Sequence, residues 1–315
     1  MGQLLYSILK TTRPRQWIKN LAVFTPIIFT GQLFNGAAFW QSFWAFIALC
    51  FLSSSNYIFN DILDAPHDRK HPFKKFRPIA SGKLPRYTAA IVSIIFVIIG
   101  LNISVSLGQA FLIMAIIFIL LEYFYSLVFK HFTVIDILTI SGAYFVRVYA
   151  GEAATGFHIS IWLALAVLSL ALFLAIGKRR AELTLMQGYK NALPRDTRES
   201  LLHYSEKLLD TYTAMFANST FITYMFYTFL AKLNQPGFFL KNISDLTLDI
   251  ADRKWMIITI PFVLFGIMRY MQLIYEGQGE SPEQILTSDP PLLITVILWV
   301  TSVLFVVYGI GSIGG

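Results

Sequence analysis

The chain has 315 residues, 56% of them hydrophobic and 14% charged, against about 25% charged in an ordinary soluble domain. A mean hydropathy of +0.61 excludes a pair of soluble domains and directs the reading to membrane spans. The lone cysteine, Cys50, excludes a disulfide framework and a cysteine-ligated metal site. In so apolar a chain a net charge of +7 points to the cytoplasmic side of a bilayer rather than to nucleic acid.

A spanning helix needs about 20 mostly apolar residues, and nine runs fit, at 18–34, 38–58, 88–106, 109–129, 133–150, 158–177, 209–231, 255–275 and 291–312. No small-residue cleavage site accompanies the first, which reads as an uncleaved span. The predicted fold is all-α, a polytopic membrane helical bundle of about nine transmembrane helices. It forms one membrane-embedded domain over 1–315.

Cationic loops resist translocation. Of the 25 Lys and Arg residues, 19 fall in the N-terminal segment (Lys10 to Lys19), in the loop from Arg69 to Arg86, at Lys130, and between Lys178 and Lys207. The loops near 31–37 and 106–109 carry none. The N-terminus is therefore expected in the cytoplasm and Gly311 to Gly315 outside. Cytoplasmic active-site loops are expected near 59–87, 130–136 and 178–207, with the outer loop Lys232 to Lys254 as a short interfacial helix.

After the second run comes Tyr57-Ile-Phe-Asn60-Asp61-Ile-Leu-Asp64-Ala-Pro-His-Asp68. On a helix continued past the membrane face, Asn60, Asp64 and Asp68 stand at i, i+4 and i+8, with Asp61 and Tyr57 adjoining. Carboxylates stacked one turn apart repel by a few tenths of a kcal/mol per pair, so such a stripe is suited to hold cations. Hard oxygen donors without Cys or clustered His favour Mg²⁺, which is commonly shared between carboxylates and a substrate phosphate. The competing reading is a solvated helix end paired with the Lys and Arg that follow. Pro66 is expected to kink the helix, which makes Asp68 the least secure member.

With these motifs the chain resembles the membrane-embedded prenyltransferase superfamily typified by the ubiquinone-pathway 4-hydroxybenzoate prenyltransferases, the UbiA type. In place of that superfamily's second Asp-rich motif stands Tyr125-Ser126-Leu-Val-Phe-Lys130-His131-Phe-Thr-Val-Ile-Asp136, with a lone carboxylate. Together with Arg13-Pro14-Arg15-Gln16-Trp17-Ile-Lys19-Asn20, Arg147-Val-Tyr-Ala-Gly151 and the segment from Leu172 to Leu183, this departure resembles the decaprenyl-phosphate phosphoribosyltransferase branch. The resemblance runs almost the whole chain, to Ser281-Pro282-Glu283.

It implies an enzyme of the bacterial inner membrane whose active site faces the cytoplasm. Such an enzyme transfers 5-phosphoribose from 5-phosphoribosyl 1-diphosphate to a polyprenyl phosphate, with Mg²⁺ holding the diphosphate. It also implies a role in lipid-linked sugar donor biosynthesis for the cell envelope and is compatible with a homo-oligomer. Asn60 and Asp64, with Asp61 and Asp68, are the expected metal ligands, and Asn60, Asp61 and Asp64 the expected catalytic set.

Two anionic substrates call for many cations. Lys19 is a phosphate contact or a positive-inside anchor. Lys74 and Arg77 are phosphate clamps or solvated loop residues, and Lys130 and His131 close the fourth run. Arg147 sits inside an apolar run, where a buried Arg faces a cavity or a partner, either Asp136 or a carbonyl. Tyr57, Asp136 and Lys178 are further candidate substrate contacts, but three consecutive basic residues, Lys178, Arg179 and Arg180, cannot all face one pocket from a helix, so at least one of them is an orientation signal. Two other readings compete with phosphoribosyl transfer: prenyl transfer to an aromatic acceptor, which would be expected to carry the missing Asp-rich motif, and a transporter, which would be expected to show inverted repeats.

Overall fold

A computed structural model of the chain describes residues 2–70, 74–188, 203–231, 233–236, 254–276 and 282–313. An N-terminal helix α1 (Gly2–Thr11) leads into a 3₁₀ helix, Pro14–Phe24, and a short α2 (Thr25–Phe29). The main helices are α3 (Gly36–Asp68), α4 (Arg86–Ser106), α5 (Gln109–Leu127), α6 (Ile135–Thr155), α7 (Ile161–Gly188) and α8 (Glu206–Leu230). They are followed by α9 (Ile260–Tyr275, entered through a 3₁₀ turn at Trp255–Thr259), α10 (Pro282–Ser288) and α11 (Pro290–Leu304), which continues as a π-helical segment to Ile310.

Local chemistry sets these boundaries. Asn35 caps α3 by accepting from the amides of Ala37 and Ala38, Ser205 caps α8 through Leu208, and Asp289 caps α11 through Leu292. Gly108, at φ 107, makes the tight reversal between α4 and α5 that an L side chain would resist. One small departure from an all-α chain is an antiparallel ribbon, β1 (Leu233–Pro236) with β2 (Gly311–Ile313). Tyr308 fastens this end of the bundle: its hydroxyl donates to the carbonyls of Ile27 and Ile28 and accepts from the Leu33 amide.

Each apolar run of the sequence falls mainly on helix. Among the described residues six helices are long and apolar enough to cross a membrane: Gly36–Asp68, Arg86–Ser106, Gln109–Leu127, Ile161–Thr184, Trp255–Tyr275 and Pro290–Ile310. Of the others, 18–34 is split between a 3₁₀ helix and a five-residue α2, α6 carries Asp136, Arg147 and Glu152, and α8 is rich in threonine. The α8 hydroxyls of Thr213, Thr220 and Thr223 donate to carbonyls one turn back, which hides their polarity within the helix. The interfacial helix expected in the outer loop falls almost wholly outside the described residues.

The interior consists of several apolar clusters. One joins α3, α5, α6 and the 3₁₀ helix through Leu49, Leu52, Phe111, Phe118, Val23 and Ala150. Another joins α7, α8 and α11 through Leu163, Tyr224, Tyr227, Val303 and Val306. The outward faces of α4 and α5 expose Ile91, Ile94, Ile98, Ile113, Ile116 and Leu120, an aliphatic surface that matches lipid rather than water. At 33 residues and ~1.5 Å per residue, α3 is about 50 Å long. That exceeds the ~30 Å hydrocarbon core, so its polar C-terminal part projects past one membrane face.

Candidate active site

That projecting part holds the polar motif. Pro66 leaves α3 continuous to Asp68, but the motif divides between two faces. Asn56, Asn60 and Asp64 recur every fourth residue and form one stripe. Asn60 donates to Asp64 at 2.9 Å, and Lys130 reaches both, its Nζ 2.7 Å from Asp64 Oδ1 and 3.3 Å from Asn60 Oδ1. Asp61, one residue further round, is buried and accepts from Arg13 and Arg77, and Arg77 also donates to Asp68 at 2.8 Å. Arg13 adopts a left-handed conformation (φ 52) just before Pro14, and its guanidinium lies 5.2 Å from the Tyr57 ring.

Facing this stripe are α5, α6 and α7. Gly151 on α6 allows the 3₁₀ helix to approach so closely that a Cβ there would fall 2.0 Å from the Val23 carbonyl oxygen. This approach carries Asn20 to Arg147, whose Nε donates to Asn20 Oδ1 at 2.8 Å. Arg147 is buried, donates to Glu122 at 3.3 Å, and has its guanidinium 4.7 Å from the Phe118 ring and 5.3 Å from the Tyr144 ring. Glu122 also accepts from Asn56 at 2.8 Å, and Asn56 accepts from Ser126 at 3.0 Å.

Asp136 is fully buried away from this group. It accepts from Arg179 at 2.6 Å and from the Tyr204 hydroxyl at 2.8 Å, and Arg179 donates onward to Glu182 and to Tyr125. Burial pushes the Tyr204 phenol up from its ordinary range, and Asp136 beside it adds to the shift, so Tyr204 remains a protonated donor. The Tyr204 oxygen also accepts from the amide of Val134, held at φ 69.

Between these elements lies a cavity of about 130 Å³. Its polar lining includes Arg13, Lys19, Asn56, Tyr57, Asn60, Glu122, Tyr125, Arg147 and Lys178, and its apolar walls are Leu121, Ile140, Ala143, Leu174 and Ala175. Of the residues singled out from sequence, Lys19, Tyr57, Asn60, Arg147 and Lys178 meet there. Asp64 and Lys130 join through Asn60, and Asp61 through Arg13. Arg77 and Asp68 stand behind Asp61, while Lys74 and the exposed His131 are not among the lining residues.

Asp136 does not line the cavity and is the partner of Arg179 rather than of Arg147. Arg180 pairs with Asp210 and Glu206, and part of the third expected loop, 189–202, lies outside the described residues. Sequence reasoning missed Glu122 and Asn56, and gave no role to Asn20 although it closes the Arg13 to Asn20 motif. Glu122 did leave a signal, as the one charged residue in α5.

These residues fit Mg²⁺. The Lys130 ammonium already places positive charge against Asn60 and Asp64, and their donor atoms are hard oxygens. Among the described residues no three His, Cys, Asp or Glu side chains converge, so a Mg²⁺ ion here would complete its shell with water and substrate phosphate, as that ion commonly does.

Residues 22–190 match the model of the UbiA prenyltransferase family. Two proteins named decaprenyl-phosphate phosphoribosyltransferase are each 32% identical to the chain. The one from Corynebacterium glutamicum aligns over 96% of this chain and 86% of its own length, and the one from Mycolicibacterium smegmatis over 97% and 93%. A UbiA homologue from Archaeoglobus fulgidus, solved bound to GPP and Mg²⁺, shares the fold with a TM-score of 0.70 at 17% identity, over 96% of this chain and 99% of that one.

Proposed function

Because the chain belongs to the UbiA prenyltransferase family, we propose that it transfers 5-phosphoribose from 5-phosphoribosyl 1-diphosphate to a polyprenyl phosphate of decaprenyl type and releases diphosphate. The product is a lipid-linked sugar precursor for the cell envelope. The observation that carries this reading is the convergence of Arg13, Lys19, Arg147 and Lys178 on one cavity beside Asn60. A donor with a 5-phosphate as well as a diphosphate, met by a phosphorylated acceptor, needs more cations than a single prenyl diphosphate does. The phosphoribosyltransferase names of the relatives, which align along nearly the whole chain, agree with it.

In this reaction the bond from the anomeric carbon to the diphosphate oxygen breaks, and its electron pair leaves with the diphosphate. A bond from the same carbon to an oxygen of the lipid phosphate forms. The nucleophile is anionic at neutral pH, so no general base is required. Asn60 and Asp64 would hold Mg²⁺, which when bound neutralises charge gathering on the leaving group. Asp61 fixes Arg13, and Asn20 and Glu122 fix Arg147, so these guanidiniums need not reorganise as charge moves. The apolar walls suit the first isoprene units of the acceptor and keep water from the sugar carbon.

Nine crossings, a cytoplasmic N-terminus and a cytoplasmic site in a bacterial inner membrane complete the reading. The positive charge flanks the site end of the bundle, and the β1–β2 ribbon closes the other. Prenyl transfer is the second reading, favoured by neighbours solved with GPP and with DMAPP. Purified protein given radiolabelled phosphoribosyl diphosphate and polyprenyl phosphate, with and without EDTA, decides between them. Labelled lipid formed only without EDTA supports the proposal. Consumption of a prenyl diphosphate with an aromatic acceptor, and none of phosphoribosyl diphosphate, overturns it while leaving family membership intact.

A further inference from the structure

We propose that Glu122, braced by Asn56 and Arg147, reads the hydroxyl groups of the pentose ring and so selects a sugar donor over a prenyl donor. This rests on the phosphoribosyl-transfer reading and deepens it. Glu122 is the single charged residue of α5, and a carboxylate in an apolar span is costly enough to point to a function. It lines a cavity whose other charged lining residues, Arg13, Lys19, Arg147 and Lys178, are all cations. Beside phosphates a carboxylate is repulsive, so a purely anion-binding cavity would be better without it.

Glu122 is matched instead to neutral hydrogen-bond donors, and among the parts of a phosphoribosyl diphosphate only the ring hydroxyls are such donors. Its bonds leave capacity for them. Asn56 donates to one carboxylate oxygen at 2.8 Å and Arg147 to the other at 3.3 Å, the second longer than the 2.7–2.9 Å usual for a strong charge-assisted bond. A carboxylate offers roughly four acceptor positions, so two vicinal hydroxyls can be accommodated beside these two donors. With its side chain 16% exposed, the carboxylate stays within reach of a ligand in the cavity. A prenyl chain has no hydroxyl and would leave the remaining acceptor positions of this carboxylate covered but unfilled, the arrangement by which polar sites reject analogues that lack a hydroxyl.

The test uses the full-length protein with polyprenyl phosphate and, in parallel, phosphoribosyl diphosphate or its 2-deoxy and 3-deoxy analogues. The intrinsic reactivity of each deoxy donor cancels when proteins are compared. The ratio of kcat/KM for the ribosyl donor to that for at least one deoxy donor is expected to fall about ten- to a hundredfold in Glu122→Gln, the range expected for a hydrogen bond to a charged group. Asn56→Ala, which removes one brace, should lower the same ratio less and serves as the test if Glu122→Gln does not purify as a folded protein. Equal losses on all donors, with the ratio unchanged, would make Glu122 a structural counter-ion of Arg147 and overturn the proposal. A wild type that turns over no ribosyl donor would overturn the functional reading, and the Glu122 assignment with it.

Discussion

Replacing Arg147 by lysine separates a phosphate-binding role from a structural one. The guanidinium donates to Asn20 through Nε at 2.8 Å and to Glu122 through Nη2 at 3.3 Å, with Phe118 and Tyr144 against its faces. A lysine carries one compact ammonium, which cannot span both partners and present a planar fork to a phosphate as well. At least one hydrogen bond to a charged group is then lost, about 1.5–3 kcal/mol. At ~1.4 kcal/mol per decade this predicts a ten- to hundredfold fall in kcat/KM for Arg147→Lys. Steady-state assays that vary donor and acceptor separately should place the loss mainly on one of them, identifying the phosphate that Arg147 serves. Arg147→Gln should be worse, because Glu122 is left with only Asn56. Full activity in both variants would refute the reasoning and reduce Arg147 to a strut between α6 and the 3₁₀ helix.

Asp64→Ala should abolish turnover, as should EDTA, with a thermal unfolding profile close to wild type; retention of most activity would remove Asp64 from the metal site. Asp136→Asn should instead destabilise the protein by about 3 kcal/mol, the low end for breaking a buried pair, because Glu182 still holds Arg179; loss of activity with wild-type stability would count against a purely structural role. Gly151→Ala should destabilise by about 3 kcal/mol, the upper end for overpacking, since the new methyl meets the Val23 carbonyl; an unchanged melting temperature would show that the 3₁₀ helix can move aside. Intact inside-out vesicles should use added phosphoribosyl diphosphate without permeabilisation and right-side-out vesicles should not; equal activity in both would contradict the topology.

The sequence made legible what local pattern encodes. Apolar runs identify helices because hydropathy is summed over neighbours, and Asn60 with Asp64 is legible because a helix brings residues four apart together. The same spacing rule misjudged Asp68, which shares Arg77 with Asp61 on another face. Pairings across the chain leave no local trace: Arg147 meets Asn20 from 127 residues away and Asp136 meets Arg179 from 43. The local sequence offers Arg147 either the cavity or a structural partner, Asp136 or a carbonyl, and does not contain the distant Arg179 that Asp136 meets. Only the packing of α6 on α7 brings that pair together. Glu122 was overlooked because it sits within a run whose average is apolar, although a single charge in such a run is itself the signal.

The length of α3 fixes the depth at which the chemistry occurs. From Gly36 to Asn60 the helix rises about 36 Å, so with Gly36 at one edge of a ~30 Å hydrocarbon slab Asn60 stands in the opposite headgroup layer. A polyprenyl phosphate keeps its own charged end at that level while its tail stays dissolved among acyl chains. In the proposed reaction such an acceptor can therefore arrive by lateral diffusion without lifting its phosphate into water or dragging it into oil. A thicker bilayer would draw the α3 stripe below the plane where that phosphate floats, which ties the working height of the enzyme to the thickness of the membrane around it.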